Sequence, residues 1–147
     1  MKPALRFGVA DDKEFIMSLE KDALRHPWPD DAVCDLLSCG KREGPAYKFA
    51  IIAEESGYIG ISAVLDEAEV GNIVVAASKR NHGIGKSLLE AAVDELRCSG
   101  VKVLYLEVES GNTPAVRLYE KMGFKVYNTR ENYYGQGLDA LLMTKIL

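Results

Sequence analysis

Long apolar stretches are missing from this chain of 147 residues: no strictly apolar run exceeds five, at Phe49 to Ala53 and Ile73 to Ala77. A membrane-spanning helix needs about 20, so none is expected. After Met1-Lys2-Pro3, Arg6, Asp11 and Asp12 interrupt the chain before a signal-peptide core can form. Basic residues are also short: 18 Lys and Arg stand against 22 Asp and Glu, a net charge of −4 with no basic run. That balance gives no electrostatic ground for binding nucleic acid. Cysteines are few and odd in number (Cys34, Cys39, Cys98) and lack paired zinc-finger spacing, and His26 and His82 are the two histidines. No metal site is therefore expected, and free thiols in a reducing cytoplasm are the plain reading. No linker rich in Pro, Ser or Gly, no charge block and no repeat divides the chain. One domain over residues 1–147 follows, long enough to bury roughly 68–70% of its unfolded surface.

What is present alternates between strand and helix patterns. Leu5 to Ala10 reads as a strand, after which Asp11 or Asp12 caps a helix running to about Leu24 with Phe15, Ile16, Leu19, Ala23 and Leu24 at helical spacing. Pro27 and Pro29 bracket Trp28 and stop it. Asp30 or Asp31 opens a second helix through Val33, Leu36 and Leu37, which Gly40 ends. Tyr47 to Glu54 and Tyr58 to Leu65 flank a hairpin turn at Glu55-Ser56-Gly57, and a third strand covers Glu69 to Ala76. Ile84 to Cys98 is a strong amphipathic helix with a stripe of Ile84, Leu88, Leu89, Ala92, Val93 and Leu96, ended by Gly100. Val101 to Val108 is a strand. Thr113-Pro114 supplies a helix cap and a first-turn proline, Gly123 closes that helix, and Phe124 to Thr129 and Leu138 to Ile146 pair around a loop holding Tyr133, Tyr134, Gly135 and Gly137. The order β-α-α-β-β-β-α-β-α-β-β predicts an α/β (α+β) fold: a mixed, mostly antiparallel seven-stranded sheet flanked by about four helices.

The segment Arg80-Asn81-His82-Gly83-Ile84-Gly85-Lys86-Ser87 follows an apolar strand and opens an amphipathic helix. The free N–H groups of a helix start, with the positive end of the macrodipole, form a ready anion site, and glycines let a phosphate approach. A P-loop needs glycine at position 80, which is arginine; a dinucleotide fingerprint needs glycine at 88, which is leucine. The spacing of Arg80, Gly83 and Gly85 instead resembles the R/Q-x-x-G-x-G/A acyl-CoA pyrophosphate loop of the Gcn5-related N-acetyltransferases (GNAT). Downstream, Leu104-Tyr105-Leu106-Glu107-Val108, then Asn112-Thr113-Pro114-Ala115, then Leu118-Tyr119-Glu120-Lys121-Met122-Gly123-Phe124 resemble the same superfamily's late strand, Asn-bearing loop and terminal helix, in the same order.

Within that superfamily, His26-Pro27-Trp28, Leu65-Asp66-Glu67-Ala68-Glu69, Asn72-Ile73, Asn132-Tyr133-Tyr134 and Asp139-Ala140-Leu141-Leu142-Met143 look like the RimI-type ribosomal-protein-alanine N-acetyltransferases. The resemblance implies transfer of acetyl from acetyl-CoA to the α-amine of a protein N-terminus, the family's target being the N-terminal alanine of a small-subunit ribosomal protein. By this similarity Glu107 matches the proton acceptor and Tyr119 the proton donor. Cofactor contacts fall on Ile73, Val74 and Val75, on the loop of Arg80, Asn81, His82, Gly83, Ile84, Gly85 and Lys86, and on Asn112. Trp28, Tyr133 and Tyr134 border the peptide groove.

The chemistry asks for the same residue types. An N-terminal ammonium, with a pKa of about 7.7–8.0, gives up its proton easily at neutral pH, whereas a lysine near 10.4 costs roughly 3–4 kcal/mol more. A carboxylate takes that proton directly or through water. Donors such as an unpaired strand N–H then stabilise the oxyanion, and a phenol of pKa ~10 protonates the departing thiolate. Direct transfer in a ternary complex is expected, without an acetyl-enzyme and without any of the three cysteines.

The residues alone also fit other roles. Glu107 suits a rim charge, Tyr119 a core tyrosine, Trp28 a plug at the sheet edge, and Asn112 a helix-start residue. Two other functions remain open: an acetyltransferase for a small amine or lysine side chain, and an acyl-CoA-binding module without turnover. This sequence also departs from the RimI-type pattern. Arg80-Asn81 replaces the usual Gln-Arg, Glu109 and Glu131 stand where relatives commonly carry arginine, and the segment from Tyr134 to Asp139 is shorter than in bacterial relatives. The added acidic residues predict a preference for basic residues after the acceptor's first position.

Overall fold

The computed structural model describes residues 3–24, 26–38 and 44–147. Cys39 and Gly40, expected as a free thiol and a helix stop, lie outside the described residues. The elements in chain order are β1 (Leu5–Phe7), α1 (Lys13–Ala23), α2 (Asp30–Ser38), β2 (Ala46–Ala53), β3 (Gly57–Val64), β4 (Glu67–Val75), α3 (Ile84–Cys98), β5 (Val103–Glu109), α4 (Thr113–Lys121), β6 (Lys125–Gly135) and β7 (Leu138–Ile146), with 3₁₀ turns at Ala10–Asp12 and Ala77–Lys79. The strands form one seven-stranded sheet in the order β1-β2-β3-β4-β5-β7-β6. β4 and β5 run parallel and every other neighbouring pair is antiparallel. The parallel pair is the one joined by a crossover helix, α3, as chain geometry requires. The mixed sheet with four α-helices is the predicted fold.

Alternation along the strands sorts the core into two layers. On one face, here the back, the stripe of α3 (Ile84, Leu88, Leu89, Ala92, Val93, Leu96) packs with Leu104, Leu106 and Val108 of β5, Met143 of β7 and Tyr119 of α4. On the front face, Ile16 and Leu19 of α1 and Val33, Leu36 and Leu37 of α2 cover Ala50, Ile52, Tyr58 and Val74. The front cover stops at β4, so the front of β5, β7 and β6 is open; β6 is exposed along its whole length.

Three local expectations are corrected. Asp12 precedes α1 without capping it. Its carboxylate instead receives both Arg6 guanidinium nitrogens (2.7 and 2.8 Å) and the Val9 N–H (2.8 Å), so it closes a turn onto β1. The cap of α4 is Asn112, whose Oδ1 accepts from the Ala115 N–H at 3.4 Å, and Thr113 is already helical. The last strand pair extends past Thr129: β6 continues to Gly135, with register breaks between Val126 and Asn128 and between Arg130 and Gly135. Asn132 (φ 56°) turns the chain there, donating its N–H to Asp139 and accepting from Gly137.

Candidate functional site

β4 and β5 pair at three positions, Glu67 with Val103, Ala68 with Leu104 and Glu69 with Tyr105. Beyond them the strands diverge. Residues 70–75 stay paired to β3 and residues 106–109 to β7, so the edges facing each other across the gap carry unpartnered strand positions. The divergence begins at a bulge: Gly60 opposes Asn72 and Ile61 opposes Val70, which leaves Gly71 as the extra residue of β4. A bulge bends its strand and shifts the side-chain alternation. Ala68 and Val70 face the back, while Val74 faces the front, with Ile73 and Val75 packing behind.

Glu107 is on the front face of β5, between the back-facing Leu106 and Val108. With Glu69, Tyr105, Tyr127, Arg130 and Leu142 it lines an open groove of about 260 Å³. Arg130, a residue the sequence reading passed over, places a guanidinium nitrogen 3.5 Å from a Glu107 carboxylate oxygen and lies 5.4 Å from the centre of the Tyr133 ring. The neighbouring Glu131 drew attention in the sequence, but the strand's alternation turns Arg130 to the groove. Tyr133 packs edge-on against Tyr134 at 5.1 Å. The Tyr134 phenol is held above its ordinary pKa by burial first and then by the negative charge of Glu107.

Tyr119 belongs to the back layer. It is 5% exposed, in edge-to-face contact with Phe124 at 5.9 Å. Burial, with a smaller contribution from Tyr134, pushes its phenol up to about 12. The predicted donor is thus a core tyrosine whose phenol holds its proton.

At the start of α3, Asn81 (φ 66°) and Gly83 (φ 77°) take left-handed backbone, and a Cβ on Gly83 would meet nothing within 4 Å. Gly85 is tighter, with Leu118 3.4 Å from an added Cβ. Asn81, His82, Gly83 and Lys86 are exposed and Ile84 anchors the helix in the core. Arg80 turns back, its Nε donating to the Val75 carbonyl at 3.2 Å, and Lys86 reaches Glu90 at 3.8 Å. Across the front, Trp28 covers Gly71. The structure therefore gathers Glu107, Tyr133 and Tyr134 on the β5–β7 side of the gap and Trp28 on the β4 side. Tyr119, Asn112 and the glycine loop lie on the side of the helices that follow the two diverging strands. Among the described residues no group of three or more His, Cys, Asp or Glu could hold a metal ion, and no helix is long and apolar enough to cross a membrane.

The acetyltransferase (GNAT) family model matches residues 13–124. This chain is a GNAT acetyltransferase. A Bacillus subtilis protein provisionally named a [ribosomal protein bS18]-alanine N-acetyltransferase is 32% identical over 146 residues, covering 97% of this chain and 94% of that protein. The crystal structure of the ribosomal-protein-S18-alanine N-acetyltransferase from Escherichia coli superposes with a TM-score of 0.80 at 28% identity, over 97% of this chain and 94% of the other. Ard1 from Thermoplasma volcanium shares the fold with a TM-score of 0.85 at 23% identity, over 100% and 99% of the two chains.

Proposed function

We propose that this chain transfers the acetyl group of acetyl-CoA to the α-amine of a protein N-terminus, with the alanine of a ribosomal protein, the acceptor for which its relatives are named, as the leading substrate. The observation that carries the reading is the gap between β4 and β5, flanked by a front-facing carboxylate and by a helix-start loop with left-handed backbone at Asn81 and Gly83. The residues fit acetyl-CoA. Two strand edges without a partner strand across the gap offer N–H and C=O groups to a linear ligand containing amides, the Val75 carbonyl being held by Arg80. The first turn of α3 leaves its N–H groups free for a pyrophosphate, over a glycine with open space. Bound there, acetyl-CoA supplies an activated acyl group on a thiol leaving group.

The chain's own residues supply the rest. Ile73, Val74 and Val75 present the β4 edge, Asn81 to Lys86 hold phosphate, and the Asn112 amide nitrogen remains a donor while its oxygen caps α4. Trp28, Tyr133 and Tyr134 border the acceptor. Glu107 takes the ammonium proton on the front side, with Arg130 fixing its carboxylate. Tyr119, neutral across the physiological range because burial raises it, gives its proton to the departing sulfur. The amine thus enters from one side of the sheet and the proton is returned from the other.

The test is acetyl transfer to short peptides differing at the first residue, with an internal-lysine peptide as control. Alanine-first peptides should be acetylated at the α-amine, and peptides with basic residues following should react fastest. Transfer confined to the lysine control overturns the acceptor assignment. Glu107→Gln should lower kcat by ~10²–10⁴ while acetyl-CoA binding by calorimetry stays within about twofold; equal loss of both sinks its role as base.

A further inference from the structure

Beneath the bulge lies a polar group that the acyl-transfer chemistry does not use. Glu20 of α1 is 0% exposed, in the same layer as Ile16 and Leu19. A carboxylate there is costly unless its oxygens are hydrogen-bonded, and an apolar side chain would suit core packing better. Both oxygens are engaged. Oε1 accepts the Trp28 backbone N–H at 2.6 Å, and Oε2 accepts the hydroxyl of fully buried Tyr58. Trp28 stands between Pro27 and Pro29, which have no N–H, so this bond takes the one backbone donor of the tripeptide.

The indole is held at its other end as well. With the Asn72 amide turned so that its nitrogen donates to the Gly71 carbonyl (2.8 Å), its oxygen accepts the indole N–H at 3.0 Å. The ring then lies on Gly71 so closely that a Cβ there would come within 2.7 Å of Trp28 Cη2. Gly71 is the bulged residue, two positions past the last β4–β5 pair at Glu69 and Tyr105, and Glu107 is two positions past Tyr105 on the opposite strand. Trp28, lying on Gly71, and the front-facing Glu107 are therefore at matching levels of the two strands where they begin to diverge.

We propose that Glu20 is a positioning residue that pins Trp28 over Gly71, making the indole a fixed wall that limits the size of the acceptor's first side chain. The inference rests on the acyl-transfer reading above: an α-amine delivered to Glu107 puts its first side chain against that wall. Alanine fits the space; leucine or methionine must displace the indole. Glu20 touches no reacting atom, and its effect passes through Trp28.

Trp28 is the sole tryptophan, so its emission reports the wall directly and without turnover. In Glu20→Met, which fills the volume without the acceptors, emission should shift to the red and acrylamide quenching rise at least twofold. The ratio of kcat/KM for alanine-first over leucine-first peptides should fall at least fivefold, with the KM for acetyl-CoA unchanged. Glu20→Gln keeps an oxygen for the Trp28 N–H and should restore both ratio and emission. Gly71→Ala, with Glu20 intact, expels the indole by contact and should relax the ratio equally, which covers the case of an unfolded Glu20→Met. Wild-type emission and ratio in Glu20→Met overturn the proposal. So does an unchanged ratio in Gly71→Ala, or a loss in Glu20→Met that falls equally on acetyl-CoA and both peptides. A wild-type protein that acetylates no peptide defeats the underlying reading instead, and the emission arm still decides whether Glu20 pins Trp28.

Discussion

Tyr119 illustrates how one side chain satisfies two readings. Its ring belongs to the back core, and burial is the main cause that raises the phenol to about 12. A tyrosine held neutral keeps its proton for a leaving thiolate, so removing only the hydroxyl should slow the chemical step and leave the packing intact. Tyr119→Phe should lower kcat by roughly 10- to 100-fold, with the melting temperature nearly unchanged. The sign of the pH effect follows from the raised value. The neutral form persists until the pH approaches 12, so the wild-type rate should show no alkaline limb from this phenol below about pH 11. A kcat profile falling between pH 9 and 10 in the wild type but flat in Tyr119→Phe would contradict that assignment.

At the scale of single elements, the turn joining β1 to α1 shows why some boundaries were legible and others were not. Asp12 was expected to cap α1 because a short acidic residue before a periodic apolar stretch is the usual cap signal. The structure uses it for Arg6, six residues earlier, and that pairing has no local pattern. Arg6 lowers the Asp12 pKa, mainly through the hydrogen bonds, against the opposing effect of burial. A carboxylate whose folded pKa is depressed contributes stability above its unfolded value, near 3.8, and loses it as pH falls through the lower folded value. Arg6 is 41% exposed in its side chain, so solvent screening limits the effect, and Asp12→Asn should cost about 1–2 kcal/mol at pH 7. Urea melts at pH 7 and pH 2.5 check this; the wild-type advantage should shrink at the lower pH. By contrast α3 matched its predicted range, Ile84 to Cys98, because an uninterrupted stripe and glycines at both ends leave one solution. The loop motif and the Asn112 to Phe124 segment were legible for the same reason: their signals are short and continuous. Arg130 and Glu20 were not. One acquires its role from a register break in β6, the other from burial beneath a bulge, and both depend on contacts between distant parts of the chain.

For the whole molecule, the consequence of the diverging strands is mechanical. The β1–β4 and β5–β7 parts of the sheet meet at three β4–β5 residue pairs, supplemented by Lys102 and Val103 N–H groups on the Asp66 carbonyl at 2.7 and 3.3 Å and by the shared back layer under α3. The edges of residues 70–75 and 106–109 are left without strand partners across the gap, and amides so placed open more readily than those inside a ladder. A linear ligand that pairs with both edges would act as an additional strand between the halves. Acetyl-CoA at about 100 times its dissociation constant should therefore stabilise the fold by roughly 2.7 kcal/mol, an increase of about 5–10 °C in Tm for a domain of this size. Mass action alone would give that shift wherever the ligand bound, so the location of protection is the discriminating result. Hydrogen exchange should slow at residues 70–75, 106–109 and the start of α3 together. The adenosine 3′,5′-bisphosphate portion alone should slow exchange at the start of α3 and leave the two strand edges at their free rates. Equal protection of all three segments by the nucleotide portion would mean that the strands respond through the core, and the bridging account of the gap would fail.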